Sequence, residues 1–433
     1  MGGIRKHIFF LKDRFLNHAV IQRHLEDIKN NYYAFHDEIN EKEREKKLKN
    51  LLDYTCQHVP YYKNSGFKKW ADFPVVNKAI IKENYEKFIS DKFDIRQLSY
   101  VTTSGSTGTP FKSYRDNAKI ARHTADNIFF NQIAGGDIGF KLYYFRVWNS
   151  INTKSRLKKL MQNIEEIDAN DFSEQFIRQL IQKMEKDRTD KFLLSYASSY
   201  EALSQITRAL GIEKVDGNIA CLISMSESLP QGTREYLETF FGAPVVSRYS
   251  NMENGFIGQQ CLENKSEYHI NGGSYHVEIL AFDEDKPVSD GELGRIVVTD
   301  FYNYAMPFIR YDTGDAGVKN TSLCRVKGPV LSRVEGRRTD FIFSTSGRIL
   351  SPHIITNTMW KFPDILQFQF IQKGEKQYIL KLNSPIDINQ DILKSEFQSF
   401  LGVDAEIRIE FVNEIPLLSS GKRKKIVNEY KLS

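Results

Sequence analysis

Apolar and polar positions along the chain follow a helical period at first and a mixed pattern later. Residues from about 20 to 58 predict one helix, which ends before Pro60 because a proline disfavours helical geometry at the preceding residue. A second, short helix is predicted from about residue 78 to 89. Further along, β-rich runs lie at 98–103, 141–148, 192–197, 218–225, 244–250 and 295–300, with helical stretches at 172–185, 199–210 and 229–241.

Strands that alternate with helices favour an α/β fold with a largely parallel sheet. Residues from about 274 to 319 are more purely β, with turn signals at 289–294 and at the DTGD sequence, 312–315. The residues after the segment 336–342 predict a small α+β unit with a basic tail.

Composition and charge exclude several classes of protein. The chain has 433 residues, enough for about three folding units. With 60 Lys plus Arg against 55 Asp plus Glu, the net charge of +5 is too balanced for a dedicated nucleic-acid binder. Four scattered cysteines argue against a disulfide scaffold, and no apolar window approaches the length of a membrane-spanning helix. A cytoplasmic protein without an integral membrane segment is expected.

The first segment whose residues could bind a ligand is the loop Thr103–Pro110, TSGSTGTP, directly after a predicted strand. Glycines let backbone N–H groups turn toward a phosphate, and hydroxyl groups add donors. The spacing differs from a Walker A loop, and in isolation a surface turn is the simpler interpretation.

Two further segments carry a carboxylate after a strand. Arg248–Glu253 ends in a glutamate that could hold Mg²⁺ beside phosphates, although such a residue is more often merely solvated. Arg310–Asp315 could accept hydrogen bonds from a ribose, or could be an aspartate-rich turn that caps a hairpin. Two charged segments, Glu335–Asp340 and Ser419–Lys425, follow, and each is weak evidence alone.

The order and separation of these five segments resemble the core motifs of the adenylate-forming superfamily, which comprises acyl-CoA synthetases, nonribosomal-peptide adenylation domains and luciferases. Within it, the chain is most similar to the phenylacetate–CoA ligase branch and its CapK-like relatives from capsular-polysaccharide gene sets. Residues 51–67, 72–88 and 224–255 also resemble that branch.

The resemblance implies a role for each motif residue. The β- and γ-phosphates of ATP would be cradled by Ser104, Gly105, Ser106, Thr107, Gly108 and Thr109. The adenine would be bordered by Ser226, Glu227 and the backbone of Arg248, Tyr249 and Ser250. Catalysis would involve Glu253 as the Mg²⁺ ligand, Arg337, which assists Asp315 in binding the ribose hydroxyls, and Lys422, which contacts the acid and the α-phosphate.

The resemblance also implies the architecture. A large N-terminal AMP-binding domain would cover residues 1–336, with a mostly helical opening over 1–97, and would contain mixed and parallel sheets. Residues 337–433 would form a small, mobile α+β lid that is joined near residues 336–340.

The implied function is that of an ATP-dependent carboxylic acid ligase. It would form an acyl-adenylate from a small acid and pass the acyl group to CoA, a carrier thiol or an amine of a sugar or amino acid, in surface-polysaccharide biosynthesis. ATP and Mg²⁺ are expected, with CoA as a candidate co-substrate, and a homodimer is left open. The alternatives are an aryl-acid or phenylacetate–CoA ligase, and a catalytically weak nucleotide-binding member of a polysaccharide-assembly complex.

Some positions depart from the family pattern. Thr339 stands where an aspartate is usual at the hinge, and Phe111 where a lysine commonly follows the phosphate loop. Cys261, His269 and Cys324 resemble part of a zinc site found in some branch members, but the fourth ligand, a thiolate, is missing, so zinc is left open.

The segment 146–159 is rich in basic residues where the family builds part of its acid pocket. These residues would receive an anionic partner such as CoA phosphates, or would simply be a solvated helix start.

Overall fold

The computed structural model describes residues 2–433 except 64, 68, 104–110, 147, 149–152, 170–171, 338–339, 351, 360, 363, 417–422 and 431–433. In the described part of the chain no helix has the length and apolarity needed to cross a lipid bilayer.

Helices open the chain: α1 (Gly2–Leu16), α2 (Val20–Tyr33), α3 (Glu38–His58) and α4 (Lys78–Glu83). The prediction of one helix over 20–58 is wrong, because the chain breaks between α2 and α3. Asp37 caps α3, since its carboxylate accepts hydrogen bonds from the N–H groups of Ile39 and Asn40 at 3.0 and 3.4 Å. The helix predicted over 78–89 is also shorter, because a 3₁₀ turn follows α4.

Residues 141–337 contribute the strands of one large sheet. An antiparallel pair outside it is formed by β1 (Ser99–Thr103) and β2 (Phe111–Arg115). The strands of the large sheet are β3 (Lys141–Arg146), β4 (Ile164–Asp168), β5 (Lys191–Tyr196), β6 (Ile219–Met225), β7 (Val245–Asn251), β8 (Gly255–Gln260), β9 (Tyr268–Ile270), β10 (Tyr275–Leu280), β11 (Leu293–Asp300), β12 (Tyr311–Thr321) and β13 (Pro329–Arg337). Their order across the sheet is β10-β11-β12-β13-β9-β8-β7-β6-β5-β3-β4.

Strands β3 to β7 are mutually parallel. On the other side of β7 in the sheet, the neighbouring strands β8, β9, β13, β12, β11 and β10 pair antiparallel in that order. The six predicted β-rich runs are all strands, and the mixed α/β fold class is confirmed. The helices beside these strands are α5 (Asn117–Ala134), α6 (Arg156–Gln162), α7 (Glu174–Lys186), α8 (Ala197–Ala209) and α9 (Gln231–Phe241). Apolar faces of α7, α8 and α9 pack on the parallel strands because each helix presents one apolar stripe.

The predicted turn at DTGD is wrong. Residues Tyr311–Thr321 form one strand, β12, and the glycine in it, Gly314, has a φ of 81°. This left-handed conformation suits glycine, which has no Cβ to clash. It lets the strand continue toward the register shift between Ala316 and Gly317.

The C-terminal residues build a second sheet with a core of its own. Its elements are β14 (Ile342–Phe343), β15 (Ile349–Leu350), α10 (Pro352–Met359), β16 (Gln367–Gln372), β17 (Gln377–Asn383), α11 (Gln390–Leu401), β18 (Glu406–Phe411) and β19 (Ile426–Asn428). The four-stranded sheet has the order β18-β17-β16-β19, and Phe370, Leu380 and Phe397 are fully buried against it. The division of the chain at residue 336 stays a prediction.

Candidate functional site

Three predicted site residues lie just after parallel strands of the large sheet. Ser226 and Glu227 follow β6, and Glu253 follows β7. In the register of the sheet Tyr196 lies opposite Met225, and Met225 lies opposite Arg248. The carboxyl ends of adjacent parallel strands meet at one edge of a sheet, which is where ligands bind in open α/β folds.

The turn after β6 is held by the helix that follows β5. Ser226 has a φ of 70°, a left-handed conformation that is uncommon outside glycine. The carboxylate of Glu227 accepts a hydrogen bond from the backbone N–H of Ser198, at 3.0 Å, in the first turn of α8. The first N–H groups of a helix have no acceptor within the helix, so this one is available to hold Glu227 at this edge of the sheet.

Arg248 and Tyr249 point to opposite faces of β7, as successive residues of a strand do. The guanidinium of Arg248 is buried, lies 4.4 Å from the Phe256 ring centroid and donates to the side chain of Asn131 at 2.7 Å. Only the backbone of Arg248 could border a ligand.

Tyr249 contacts Asp315, the aspartate of the third motif. Its hydroxyl donates to a carboxylate oxygen of Asp315 at 2.9 Å. Asp315 lies opposite Arg337 in the pairing of β12 with β13, and the Arg337 Nε is 3.4 Å from the other carboxylate oxygen. Burial raises the pKa of the Asp315 carboxyl, and the Arg337 guanidinium lowers it. The structure thus brings Tyr249, Asp315 and Arg337 into one constellation.

Glu253 is buried beside a lysine that the sequence did not indicate. Its carboxylate accepts a hydrogen bond from the Tyr311 hydroxyl at 3.4 Å and lies 3.7 Å from Nζ of Lys78. Burial lowers the pKa of the Lys78 ammonium, while Glu253 raises it and Arg337 lowers it further. Lys78, Glu253 and Arg337 therefore influence one another at close range.

Lys78 reaches this place because its segment is joined to β12. The N–H of Val76 donates to the carbonyl of Arg310 at 3.0 Å, and the N–H of Asp312 donates to the carbonyl of Val76 at 2.8 Å. The available signal was the segment 72–88, which resembled the family without a role for any of its residues.

Other predicted site residues lie outside the described part of the chain. These are Ser104, Gly105, Ser106, Thr107, Gly108, Thr109 and Lys422, together with the hinge residue Thr339. The phosphate-loop segment is bounded by β1 and β2.

Lys425 of the C-terminal unit contacts the helix that follows β5. Nζ of Lys425 donates to both carboxylate oxygens of Glu201 at 2.7 and 2.6 Å. Glu201 belongs to α8, the helix whose first turn holds Glu227, and burial raises the pKa of its carboxyl while Lys425 lowers it. This ion pair joins the C-terminal residues to the large sheet's helices.

A second cluster of side chains that can bind a metal lies at β9, the strand that contains His269. Cys261, His269 and Cys324 are buried, and their ligand atoms lie within 4.8 Å of one another. The Sγ atoms of the two cysteines are 2.9 Å apart, and Nε2 of His269 is 3.4 Å from Sγ of Cys324. Burial lowers the pKa of His269, which favours the neutral imidazole that binds metals.

Glu267 lies beside this cluster and is a candidate for the fourth donor that the sequence lacked. Its carboxylate oxygen is 3.1 Å from Sγ of Cys324 and is oriented by hydrogen bonds from the Ser322 hydroxyl and the Leu323 N–H. Two thiols and one imidazole fit three positions of a four-coordinate zinc site. The Glu267 carboxylate is the candidate for the fourth position, in place of the missing thiolate.

We expect the purified protein to bind about one zinc ion per chain, and Glu267→Ala to weaken its zinc affinity at least about ten-fold, because it removes the carboxylate that contacts the Cys324 thiol. Competition with a chromogenic chelator measures the affinity. Glu263→Ala is the matched control, since Glu263 is a neighbouring carboxylate that pairs with Arg325 at the surface. Equal zinc affinity in the two variants would exclude Glu267 as a ligand.

Comparison with known proteins identifies the class of fold. The structure of 2-hydroxyisobutyryl-CoA ligase in the postadenylation state, in complex with R3-HIB-AMP, superposes with a TM-score of 0.71 at 15% identity, covering 93% of this chain and 92% of that one. The fold is thus that of the adenylate-forming ligases, with a small C-terminal unit after a large N-terminal one.

Sequence comparison shows which proteins the chain is similar to. Residues 342–429 match the CapK C-terminal domain family. Protein CapK of Staphylococcus aureus is 24% identical over 371 residues, 83% of this chain and 80% of that protein. The phenylacetate-coenzyme A ligase of Thermus thermophilus is 21% identical over 413 residues, 86% of this chain and 87% of that enzyme. The predicted resemblance to the phenylacetate–CoA ligase and CapK-like branch is confirmed, as is the class of adenylate-forming ligase.

Proposed function

We propose that the protein activates a small carboxylic acid with ATP as an acyl-adenylate and transfers the acyl group to a thiol or amine in surface-polysaccharide assembly. The observation that carries the proposal is the convergence of Glu253, Asp315 and Arg337 beside β7. These residues come from distant motifs whose order already indicated this chemistry.

The first step joins the acid to the nucleotide. A carboxylate oxygen of the acid forms a bond to the α-phosphorus, the bond from that phosphorus to the bridging oxygen breaks, and pyrophosphate leaves with the electron pair. Both reactants are anions, so the site must position them and neutralise charge that shifts toward pyrophosphate. Lys422, Lys78 and Arg337 are the cationic residues that we assign to this task.

Glu253 is the residue that we propose as the Mg²⁺ ligand. Its carboxylate is buried, and Mg²⁺ is bound in proteins through one or two carboxylates plus substrate phosphates. The metal, when bound, supplies positive charge next to the phosphate oxygens. The neighbouring Tyr311 hydroxyl and Lys78 ammonium orient the carboxylate.

Asp315 and Arg337 are proposed to bind the ribose. A carboxylate can accept hydrogen bonds from both hydroxyls of a diol, and Asp315 is pre-positioned by the Tyr249 hydroxyl and by Arg337. The turn of Ser226 and Glu227, with the backbone of residues 248–250, would border the adenine, and Ser104–Thr109 the phosphates.

We also propose that residues 337–433 act as a lid over residues 1–336. The separate core around Phe370 and Phe397 supports a unit that moves as one body. The ion pair of Lys425 with Glu201 supports a position in which the C-terminal unit is docked against α8. A closed lid would protect the adenylate from water.

The molecule that accepts the acyl group is a more specific part of the proposal. The role in surface-polysaccharide assembly, with an amine of a sugar or amino acid as one acceptor, rests on the resemblance of the sequence motifs to CapK-like proteins. Similarity to phenylacetate-coenzyme A ligase supports CoA as the acceptor. The predicted alternative of a catalytically weak nucleotide-binding protein is separable by assay.

We expect acid-dependent exchange of radioactive pyrophosphate into ATP when the protein is screened against a panel of small carboxylic acids. The active acid is then incubated with ATP and either CoA or amino sugars, and the acyl product is identified by mass spectrometry. The absence of exchange with every acid, together with measurable ATP binding, would support the catalytically weak alternative. A product that forms with an amine and without CoA would exclude a simple CoA ligase.

A further inference from the structure

Helix α1 (Gly2–Leu16) presents a row of apolar side chains to solvent. Ile4, Ile8, Leu11 and Phe15 are exposed by 66%, 59%, 39% and 74%. At 100° per residue these four positions fall within about 60° of the helix circumference. Surface helices normally turn such a stripe toward the core, so this row is an unusual outward face.

Basic side chains border this row on both sides. On the same helical projection Arg5 and Lys12 lie along one border, and His7 and Arg14 lie along the other. The one acidic residue of α1, Asp13, is buried, and its carboxylate accepts hydrogen bonds from the backbone N–H groups at the start of α2. The outward face of α1 therefore carries cationic charge only.

The short helix α6 (Arg156–Gln162) lies next to α1 and has the same character. A guanidinium N–H of Arg5 donates to the carbonyl of Leu160 at 2.5 Å, which places the two helices in contact. Leu157, Leu160 and Met161 are largely exposed, on the same short helix as Arg156 and Lys158. Residues 2–16 carry a net charge of +3 and residues 153–163 a net +4, so the rest of the chain, at a total of +5, is net −2.

We propose that α1 and α6 together form a docking surface for an anionic lipid bilayer, with the exposed apolar residues inserted between headgroups. Amphipathic helices with basic borders lie in the plane of a bilayer in this way, and long basic side chains reach the headgroups while their stems cover apolar surface. Charge complementarity selects this occupant, because a second copy of the same face would bring two net positive surfaces together.

Co-sedimentation of the full chain with lipid vesicles tests the proposal. We expect binding to phosphatidylcholine vesicles that contain phosphatidylglycerol and at least about ten-fold weaker binding to phosphatidylcholine alone. The double variant Ile8→Glu/Phe15→Glu should weaken binding to the anionic vesicles at least about ten-fold. Ile392→Glu, at a similarly exposed apolar position on α11, is the matched control and should change binding less than about two-fold.

A charge variant keeps the test independent of the apolar substitutions. Lys12→Glu/Arg14→Glu should weaken binding to the anionic vesicles at least about 30-fold, because each lost surface cation contributes about five-fold and each new carboxylate repels the anionic surface. Equal binding to both kinds of vesicle, or no binding to either, would overturn the proposal. A dimer in sedimentation velocity that disappears in the Ile8→Glu/Phe15→Glu variant would also overturn it, in favour of a second copy as the occupant.

Discussion

Replacing Lys422 by alanine is expected to lower the rate of acid-dependent pyrophosphate–ATP exchange by about 100-fold or more. The proposed reaction joins two anions, and the role proposed for Lys422 is to neutralise charge as it develops between the carboxylate and the α-phosphate. Because this role belongs to the transition state, the loss should fall on kcat more than on the KM for ATP.

A matched control separates this effect from a general loss of positive charge on the C-terminal unit. Lys373→Ala removes a lysine from the same unit, where it pairs with Glu429 at the surface, and should change exchange less than about three-fold. Exchange that survives Lys422→Ala unchanged would contradict the adenylation mechanism proposed for this lysine.

Replacing Glu253 by glutamine is expected to lower exchange by about 100-fold at low Mg²⁺ concentration, with partial recovery at high Mg²⁺. The amide preserves the size of the side chain but removes the negative charge that attracts the ion. Titrating exchange against Mg²⁺ at saturating ATP measures the change as a shift in the concentration needed for half of the maximal rate.

The control for this substitution is Tyr311→Phe, which removes the hydroxyl that donates to Glu253 and keeps the carboxylate. It should lower exchange less than about ten-fold and leave the Mg²⁺ dependence nearly unchanged, because a single neutral hydrogen bond contributes about 1 kcal/mol. An unchanged Mg²⁺ requirement in Glu253→Gln would show that the ion is held elsewhere.

The candidate site was only partly predictable from sequence. Glu253, Asp315 and Arg337 were identified by the order of their motifs, and the structure brings them into one region. Lys78 was not identified, because it lies about 175 residues before Glu253 and its approach depends on the pairing of Val76 with the start of β12. Glu267 was missed for the same reason, since Cys324 reaches it only through folding.

Local patterns determined the strands β1, β3, β5, β6, β7 and β11, the helices α7 to α9, and the order of the motifs. Apolar periodicity and turn residues act over a few positions, so the sequence alone expresses them. Tertiary structure decided the break before Asp37, the continuous strand through Gly314 and the outward face of α1. Each of these depends on which surface a segment packs against, and that is settled by residues far away in the chain.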